Sequence, residues 1–265
     1  MPIQCLPLSS IHQHAERWRD VQWLFTDVDD TLTWQGALPW QTLKALTELR
    51  DAGIRVVPVT GACAGWCDHI INAWPVDAVI GENGGVVMWH EDGRRQTKIS
   101  YTAQQAQPGL RDWIDHLLEQ YPNRTLSADQ AYRHCEVAID IGQHTRRAPQ
   151  SEVDALLGAL HAYGAKATAS SIHINAWLGT HNKQQATLDW LLRYGVTEKA
   201  APQQVAFIGD SRNDNDMFAY FPLSVGVANI APHLAALDTP PTWITEAPGG
   251  LGFAEFASCW LSLVR

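Results

Sequence analysis

A handful of side chains have the types and spacing to do chemistry together. The stretch LFTDVDDTLT sets Asp27, Asp29 and Asp30 directly behind an apolar run. VVPVTG ends in Thr60 and Gly61, Lys183 opens a helical pattern, and FIGDSRNDND carries Asp210, Asn213 and Asp214. Like charge at the end of a buried strand needs an offset, so the carboxylates either hold a cation or form a polar turn. Two or three carboxylates with water suit a hard divalent cation such as Mg²⁺. A lysine and a threonine hydroxyl suit phosphoryl oxygens, and a carboxylate can itself attack phosphorus to give an aspartyl phosphate.

The elements around these residues are those of a parallel α/β sheet. VQWLFT (21–26), IRVVPVT (54–60), the run from 77 into GENGG, QVAFIGD (204–210), LSVGVAN (223–229) and TWIT (242–245) read as strands. PWQTLKALTELRDAG (39–53), KQQATLDWLLRYG and DNDMFAYF (214–221) read as helices between them. Pro58 is awkward for a central strand. The alternation predicts a Rossmann-like doubly wound core, in which ligands bind beyond the carboxyl ends of the strands. Asp27, Thr60 and Asp210 all fall at such ends.

Between about 85 and 179 the rhythm changes. A hairpin is expected to turn at Asp92-Gly93, followed by a helix over 109–121 and a strand in AYRHCEVAIDIG. Ser151 and Asp154 read as a capping box for the next helix, and 165–179 reads as a strand pair. The expected order is ββαβαββ, a small α+β unit inserted into the larger sheet. Alternation turns Val137, Ile139 and Ile141 inward and sends His134 and Glu136 to the other face. It likewise leaves Ser171, His173, Asn175 and Trp177 outward. Polar groups of both hydrogen-bonding senses beside an aromatic suit a sugar; the plain alternative is a solvated sheet face. His173 lacks a partner at metal-ligand spacing. Asn83 is a substrate-contact candidate, and Glu82 either joins it or only forms the turn with Gly84 and Gly85.

DVDDT, VVPVTG, Lys183 and GDSRND, in that order, resemble the four motifs of the haloacid dehalogenase superfamily of phosphohydrolases. GENGG, GVAN and GGLGFAE are similar to segments of its class IIB members, whose α+β cap lies where the inserted unit falls here. The resemblance implies a core of residues 1–84 and 180–265 and a specificity cap over 85–179. It implies that Asp27 attacks phosphorus while Asp29 serves first as acid and then as base. Thr60 and Lys183 would grip the phosphoryl group. Mg²⁺ would lie among Asp27, the Asp29 carbonyl and Asp210, with Asp214 holding a metal-bound water or pairing with Lys183. Gly61, Asn83, Glu136, His173, Asn175 and Asn213 are the expected substrate contacts. Asp30 stands where glycine is common and reads as a turn-capping carboxylate. Relatives commonly have Thr-Gly-Arg in the second motif, whereas this chain reads TGACAGW, so Ala62 cannot supply that arginine.

Composition narrows the rest. Lys and Arg total 19 against 28 Asp and Glu, so no general attraction to nucleic acid or an anionic membrane is expected. Any anionic ligand must meet a local positive site. The five cysteines are scattered and include no paired set for zinc, so free thiols are expected. The first twenty residues lack a hydrophobic segment and no apolar run reaches membrane-spanning length, which points to a soluble cytoplasmic protein. The twelve tryptophans, spread along the chain, are expected to fill core and interface. The reading is a Mg²⁺-dependent phosphatase of a phosphorylated sugar or glycosylated phosphate. By resemblance its company is the sucrose-phosphate, trehalose-phosphate and mannosyl-3-phosphoglycerate phosphatases. The alternatives are a phosphomutase of the same superfamily, a sugar-phosphate sensor without catalysis, and a phosphoreceiver. The last is disfavoured by Asp27 at the first strand and by the long insertion.

Overall fold

The computed structural model describes residues 5–170 and 172–264; Ser171, assigned above to the outward sheet face, lies outside them. After β1 (Leu6–Pro7) and a 3₁₀ run at Leu8–Trp18 come β2 (Trp23–Thr26), α1 (Trp40–Asp51), β3 (Arg55–Pro58), α2 (Ala64–Ala73) and β4 (Ala78–Gly81). A hairpin, β5 (Val86–Glu91) and β6 (Arg94–Ile99), leads to α3 (Tyr101–Leu118), β7 (Thr125–Leu126) and β8 (Glu136–Asp140). Then follow α4 (Gln150–Tyr163), β9 (Lys166–Ala169), β10 (His173–Trp177) and α5 (Lys183–Leu192). The chain closes with α6 (Ala201–Gln204), β11 (Val205–Gly209), α7 (Asn215–Tyr220), β12 (Ser224–Gly226), β13 (Trp243–Ile244) and α8 (Gly249–Val264).

Six strands form a parallel sheet in the order β1-β13-β12-β11-β2-β3. Every residue of β2 and β11 is buried, as a sheet covered on both faces requires. Alternate side chains enter different cores. Leu24, Ala206 and Ile208 pack with Leu46, Phe253 and Trp260 on one face. Trp23, Phe25, Val205 and Phe207 pack with Leu191, Met217 and Phe218 on the other. Most tryptophans serve this packing: Trp18 lies 5.3 Å from Trp260 and 5.6 Å from Trp243, centroid to centroid.

Pro58 is accommodated by the parity of its strand. Arg55 and Val59 donate their N–H groups toward β2, to Gln22 O and Thr26 O. Val56 and Thr60 donate the other way, to Asp77 Oδ2 and Ile80 O. Pro58 shares that second side, so its missing donor costs β2 nothing.

The inserted region differs from the expected order. The hairpin does turn at Asp92-Gly93, with φ of 51° and 72° as a primed turn demands. It pairs with β4 in an antiparallel sheet β4-β5-β6, and Trp89 packs on Trp190 of α5 at 5.6 Å. The hairpin therefore extends the body of the molecule, and the insert's own sheet begins after Ser100 instead of at 85. Its order is αββαββ, with strands β7-β8-β10-β9 under α3 and α4. Leu110, Ile114, Val137, Ile139, Leu156, Leu160 and Ile174 form its core, as the alternation of β8 required. The helix expected over 109–121 starts at Tyr101 and carries Pro108 inside. The Ser151–Asp154 capping box does not form: the N-cap is Pro149, Ser151 lies within α4, and Asp154 accepts from Gln150 Nε2 at 2.8 Å. Among the described residues no helix is long and apolar enough to cross a membrane.

Candidate active site

β2 lies between β3 and β11, so the residues following these three strands meet at one sheet edge. Asp27 continues β2 and donates its N–H to Ile208 O at 2.9 Å. Thr60 follows β3, and its hydroxyl accepts from Ala62 N at 3.0 Å. Asp210 follows β11, where Asn229 Nδ2 donates to its Oδ2 at 3.0 Å and to Asp30 O at 3.0 Å. A cleft of about 430 Å³ opens there. Asp27, Asp29, Asp30, Thr60, Gly61, Asn83, Asp210 and Asn213 line it from the body, and His173 and Asn175 line it from the insert.

Lys183 and Asp214 stand behind Asp27. The Asn182 side chain caps α5 by accepting from Gln185 N at 2.7 Å, which sets Lys183 in the first helical turn. A cation there opposes the helix dipole, so its position depends on carboxylates. Lys183 Nζ donates to Asp27 Oδ1 at 2.7 Å and Asp214 Oδ1 at 2.8 Å. Asp214 Oδ2 also accepts from the N–H groups of Asp210 and Ser211. Gly209 leaves room for this, since a Cβ there would lie 2.5 Å from Asp214 Oδ2.

The cluster carries excess negative charge. Asp27, Asp210 and Asp214 each present a carboxylate oxygen within 4.8 Å of the others, with one buried ammonium against them. Burial, relieved by Lys183 and reinforced by Asp214 and Asp29, pushes Asp27 up to about 8. Burial, with Asp27, Asp214 and Asp30, raises Asp210 well above the carboxylate range against the pull of Lys183. Asp29 is exposed in the cleft, and desolvation by the surrounding walls, followed by Asp30, raises its pKa. Burial disfavours the Lys183 charge, but Asp214 and Asp27 outweigh it and raise its pKa. An all-oxygen donor set short of positive charge fits a hard divalent cation.

The insert reaches the same loop through a polar network. Gly61 O accepts from Asn175 Nδ2 at 2.8 Å and from Arg133 Nη1 at 2.9 Å. A Cβ on Gly61 would lie 2.7 Å from Asn175 Nδ2, so any side chain there would have to displace that amide. Arg133 also bonds Asp129 through two parallel contacts of 3.2 and 3.0 Å, and Glu136 at 3.0 Å. Glu82 accepts from Ala64 N in the body and from His134, Cys135 and Glu136 N in the insert. Its φ of 48°, followed by 49° at Asn83, is left-handed backbone, unusual outside glycine, and it aims both side chains at the insert.

Three expectations change here. Glu136 does not reach the cleft: it is fully buried, accepts from Arg133 and from Asn83 Nδ2 at 2.7 Å, and burial pushes it up to about 8. Asn83 lines the cleft but spends that donor on Glu136. Trp177, expected beside a sugar, is buried over His181 with its Nε1 donating to His181 O. His173 bonds Gln143 Oε1 at 2.8 Å through Nε2. Asp30 matches its turn-capping reading, accepting from Gln35 N at 3.0 Å. The cysteines are free.

The sequence reading missed Asp129 and Arg133, which no pattern marks, although Ala62 had left an arginine unaccounted for. It also missed Trp34 and Trp66 at the cleft and the role of Asn229, visible in hindsight as the last residue of GVAN.

Comparison with known proteins adds three findings. A sequence model of the haloacid dehalogenase-like hydrolase family matches residues 24–139 and 162–239. A phosphoglycolate phosphatase of Methanoculleus marisnigri is 26% identical over 235 residues, covering 88% of this chain and 93% of that protein. Among solved structures, a Thermoplasma acidophilum protein superposes with a TM-score of 0.73 at 17% identity, over 92% of this chain and 99% of its own. The Synechocystis sucrose-phosphatase, crystallised with sucrose and phosphate, gives 0.67 at 15% identity, over 91% and 98%.

Proposed function

The chain belongs to the haloacid dehalogenase-like hydrolases, and on that premise we propose that it is a Mg²⁺-dependent phosphatase of a sugar phosphate or glycosylated phosphate monoester. The observation that carries the reading is the meeting of Asp27, Asp210 and Asp214 with Lys183 at the end of the central strand. Named relatives support phosphate-ester hydrolysis and offer two leaving groups, a sugar and glycolate.

An Asp27 carboxylate oxygen attacks phosphorus, and the P–O bond to the leaving alcohol breaks. Asp29, which opens to the cleft and whose pKa is raised above the usual carboxylate value, gives its proton to the departing oxygen. It then takes a proton from the water that attacks the aspartyl phosphate, which frees inorganic phosphate and restores Asp27. Thr60 and Lys183 hold the phosphoryl oxygens, and Lys183 fixes the orientation of Asp27 through their 2.7 Å hydrogen bond. Asp27, Asp210 and the Asp29 carbonyl would hold Mg²⁺, with Asp214 placed by Lys183 and the loop. Bound there, the ion neutralises the clustered carboxylates and the developing phosphoryl charge.

The test is a phosphate-release screen over phosphate monoesters, with and without Mg²⁺, beside Asp27→Asn. Release is expected to require the cation and to vanish in the variant. Equal turnover by the variant would remove Asp27 as nucleophile, and an isomeric sugar phosphate without free phosphate would make the enzyme a mutase.

A further inference from the structure

A second cavity, of about 260 Å³, opens between the β5–β6 hairpin and α5, and it shares no lining residue with the catalytic cleft. Trp89 and Lys98 line it from the hairpin, and Trp190 and Arg193 line it from α5 and its C-cap. Ser100 and His181 complete it at the two places where the chain passes between body and insert. Ser100 lies on the outward crossing, where its N–H donates to Gly85 O at 2.8 Å, and His181 lies on the return just before Lys183.

The cavity is short of acceptors. Trp89 Nε1, Trp190 Nε1 and both ring nitrogens of His181 are buried atoms with no hydrogen-bond partner among the described residues. Trp190 as a whole is 3% exposed. An indole N–H can only donate. Burial and the neighbouring Lys166 bring His181 down to about 4, so its ring is neutral, with one donor and one acceptor. Lys98 adds an ammonium that makes no ion pair among the described residues. Arg193 lies 4.4 Å over Trp89 and 5.2 Å over Trp190, and its charge is shared with Glu91 at 3.2 Å. The one carboxylate in the lining, Asp189, accepts from Gln185 Nε2 at 2.9 Å. Unmet donors therefore outnumber unmet acceptors, and buried donors without partners are costly. Two indoles with a few polar groups among them are the lining of a small-molecule pocket, and the volume suits one ring with a short substituent.

We propose that this cavity is a second small-molecule site, for an organic carboxylate with a compact aromatic body. The carboxylate accepts from the indole N–H groups and Lys98, and the ring lies among Trp89, Trp190 and His181. An occupant there touches both crossings and α5 at once, so it ties the insert to the body. The site stands apart from the phosphatase reading, since none of its residues takes part in that reaction.

The experiment follows the indole N–H resonances of the full chain, labelled with ¹⁵N-tryptophan and held in Mg²⁺, during titration with benzoate, benzamide and benzylamine. These probes keep the ring and change only the charge. Benzoate is expected to shift Trp89 and Trp190 saturably, with a dissociation constant of about 1 mM or below, and to bind at least about 5-fold more tightly than either other probe. Lys98→Met, at an exposed position, should weaken benzoate roughly 2- to 5-fold and leave benzamide unchanged. Trp89→Phe, which keeps an aromatic ring and removes one donor, should weaken benzoate roughly 10-fold. Absence of shifts at Trp89 and Trp190 would show a cavity that holds solvent alone and would overturn the proposal. Benzamide or benzylamine binding as tightly as benzoate would overturn the carboxylate assignment. Shifts confined to Trp34 and Trp66, which line the catalytic cleft, would place benzoate there and refute the second site.

Discussion

Glu82→Gln tests how the insert is held on the body. The Glu82 carboxylate is fully buried and divides its N–H donors between its two oxygens. Oε1 takes Ala64 N at 3.1 Å and His134 N at 3.0 Å; Oε2 takes His134 N at 3.0 Å, Cys135 N at 2.6 Å and Glu136 N at 3.1 Å. An amide keeps the size and shape but converts one acceptor into a donor. Whichever way it turns, one group of N–H donors faces an NH₂. Each buried donor left unsatisfied costs about 1–3 kcal/mol, so after partial relaxation the variant should lose roughly 3 kcal/mol. At roughly 2–4 °C per kcal/mol for chains of this size, the melting temperature should fall by about 6–12 °C. The loss should be local at first: amides at 134–136 should exchange faster than those of β2 and β11, because the opening frees the insert and leaves the parallel sheet intact. Thermal unfolding and hydrogen exchange read both effects. A melting temperature within about 1 °C of wild type, with protection at Cys135 and Glu136 retained, would show that the clamp does not hold the insert.

Lys183→Met should lower kcat by roughly 100- to 1000-fold through loss of a preorganised donor and destabilise the protein by about 3–5 kcal/mol. That follows because Asp27 and Asp214 each lose a buried partner at 2.7 and 2.8 Å; steady-state kinetics and urea unfolding check both numbers. Asp140 accepts from the N–H groups of Gly142, Gln143 and His144 and from Thr145 Oγ1, and these outweigh burial and bring it down to about 2. Its lowered pKa contributes stability that is complete above the unfolded value near 4 and disappears as pH falls through about 2. The amount is roughly 2 kcal/mol. Asp140→Asn should lose about that much at pH 6 and show a smaller further drop between pH 4 and 2 than wild type in urea titrations.

What the chain made legible follows from how far each constraint reaches. The parallel core could be read because a sheet buried on both faces needs continuous apolar strands, and VAFIG and WLFT have no other use. The residues after those strands could then be placed, since strand adjacency alone brings Asp27, Thr60 and Asp210 together. The hairpin turn is a local signal and places the hairpin only at the start of the insert, whereas its pairing with β4 and the Trp89–Trp190 contact are not local. Glu136 and Trp177 failed for a related reason: period-2 alternation gives the face of a strand but not what covers it. Glu136 and Trp177 pair across β8 and β10, and that end of the face is covered by Asn83, Arg133 and His181. Arg133 and Asp129 were invisible because a buried pair supporting a cleft wall has no periodicity, only partners. The missing arginine after Thr60-Gly61 was nevertheless a clue. A guanidinium from the insert bonds the Gly61 carbonyl while held by two carboxylates. Substituting Ala62 therefore leaves the motif-two loop with a cation beside it, but one whose charge faces the protein's own acids instead of an incoming anion.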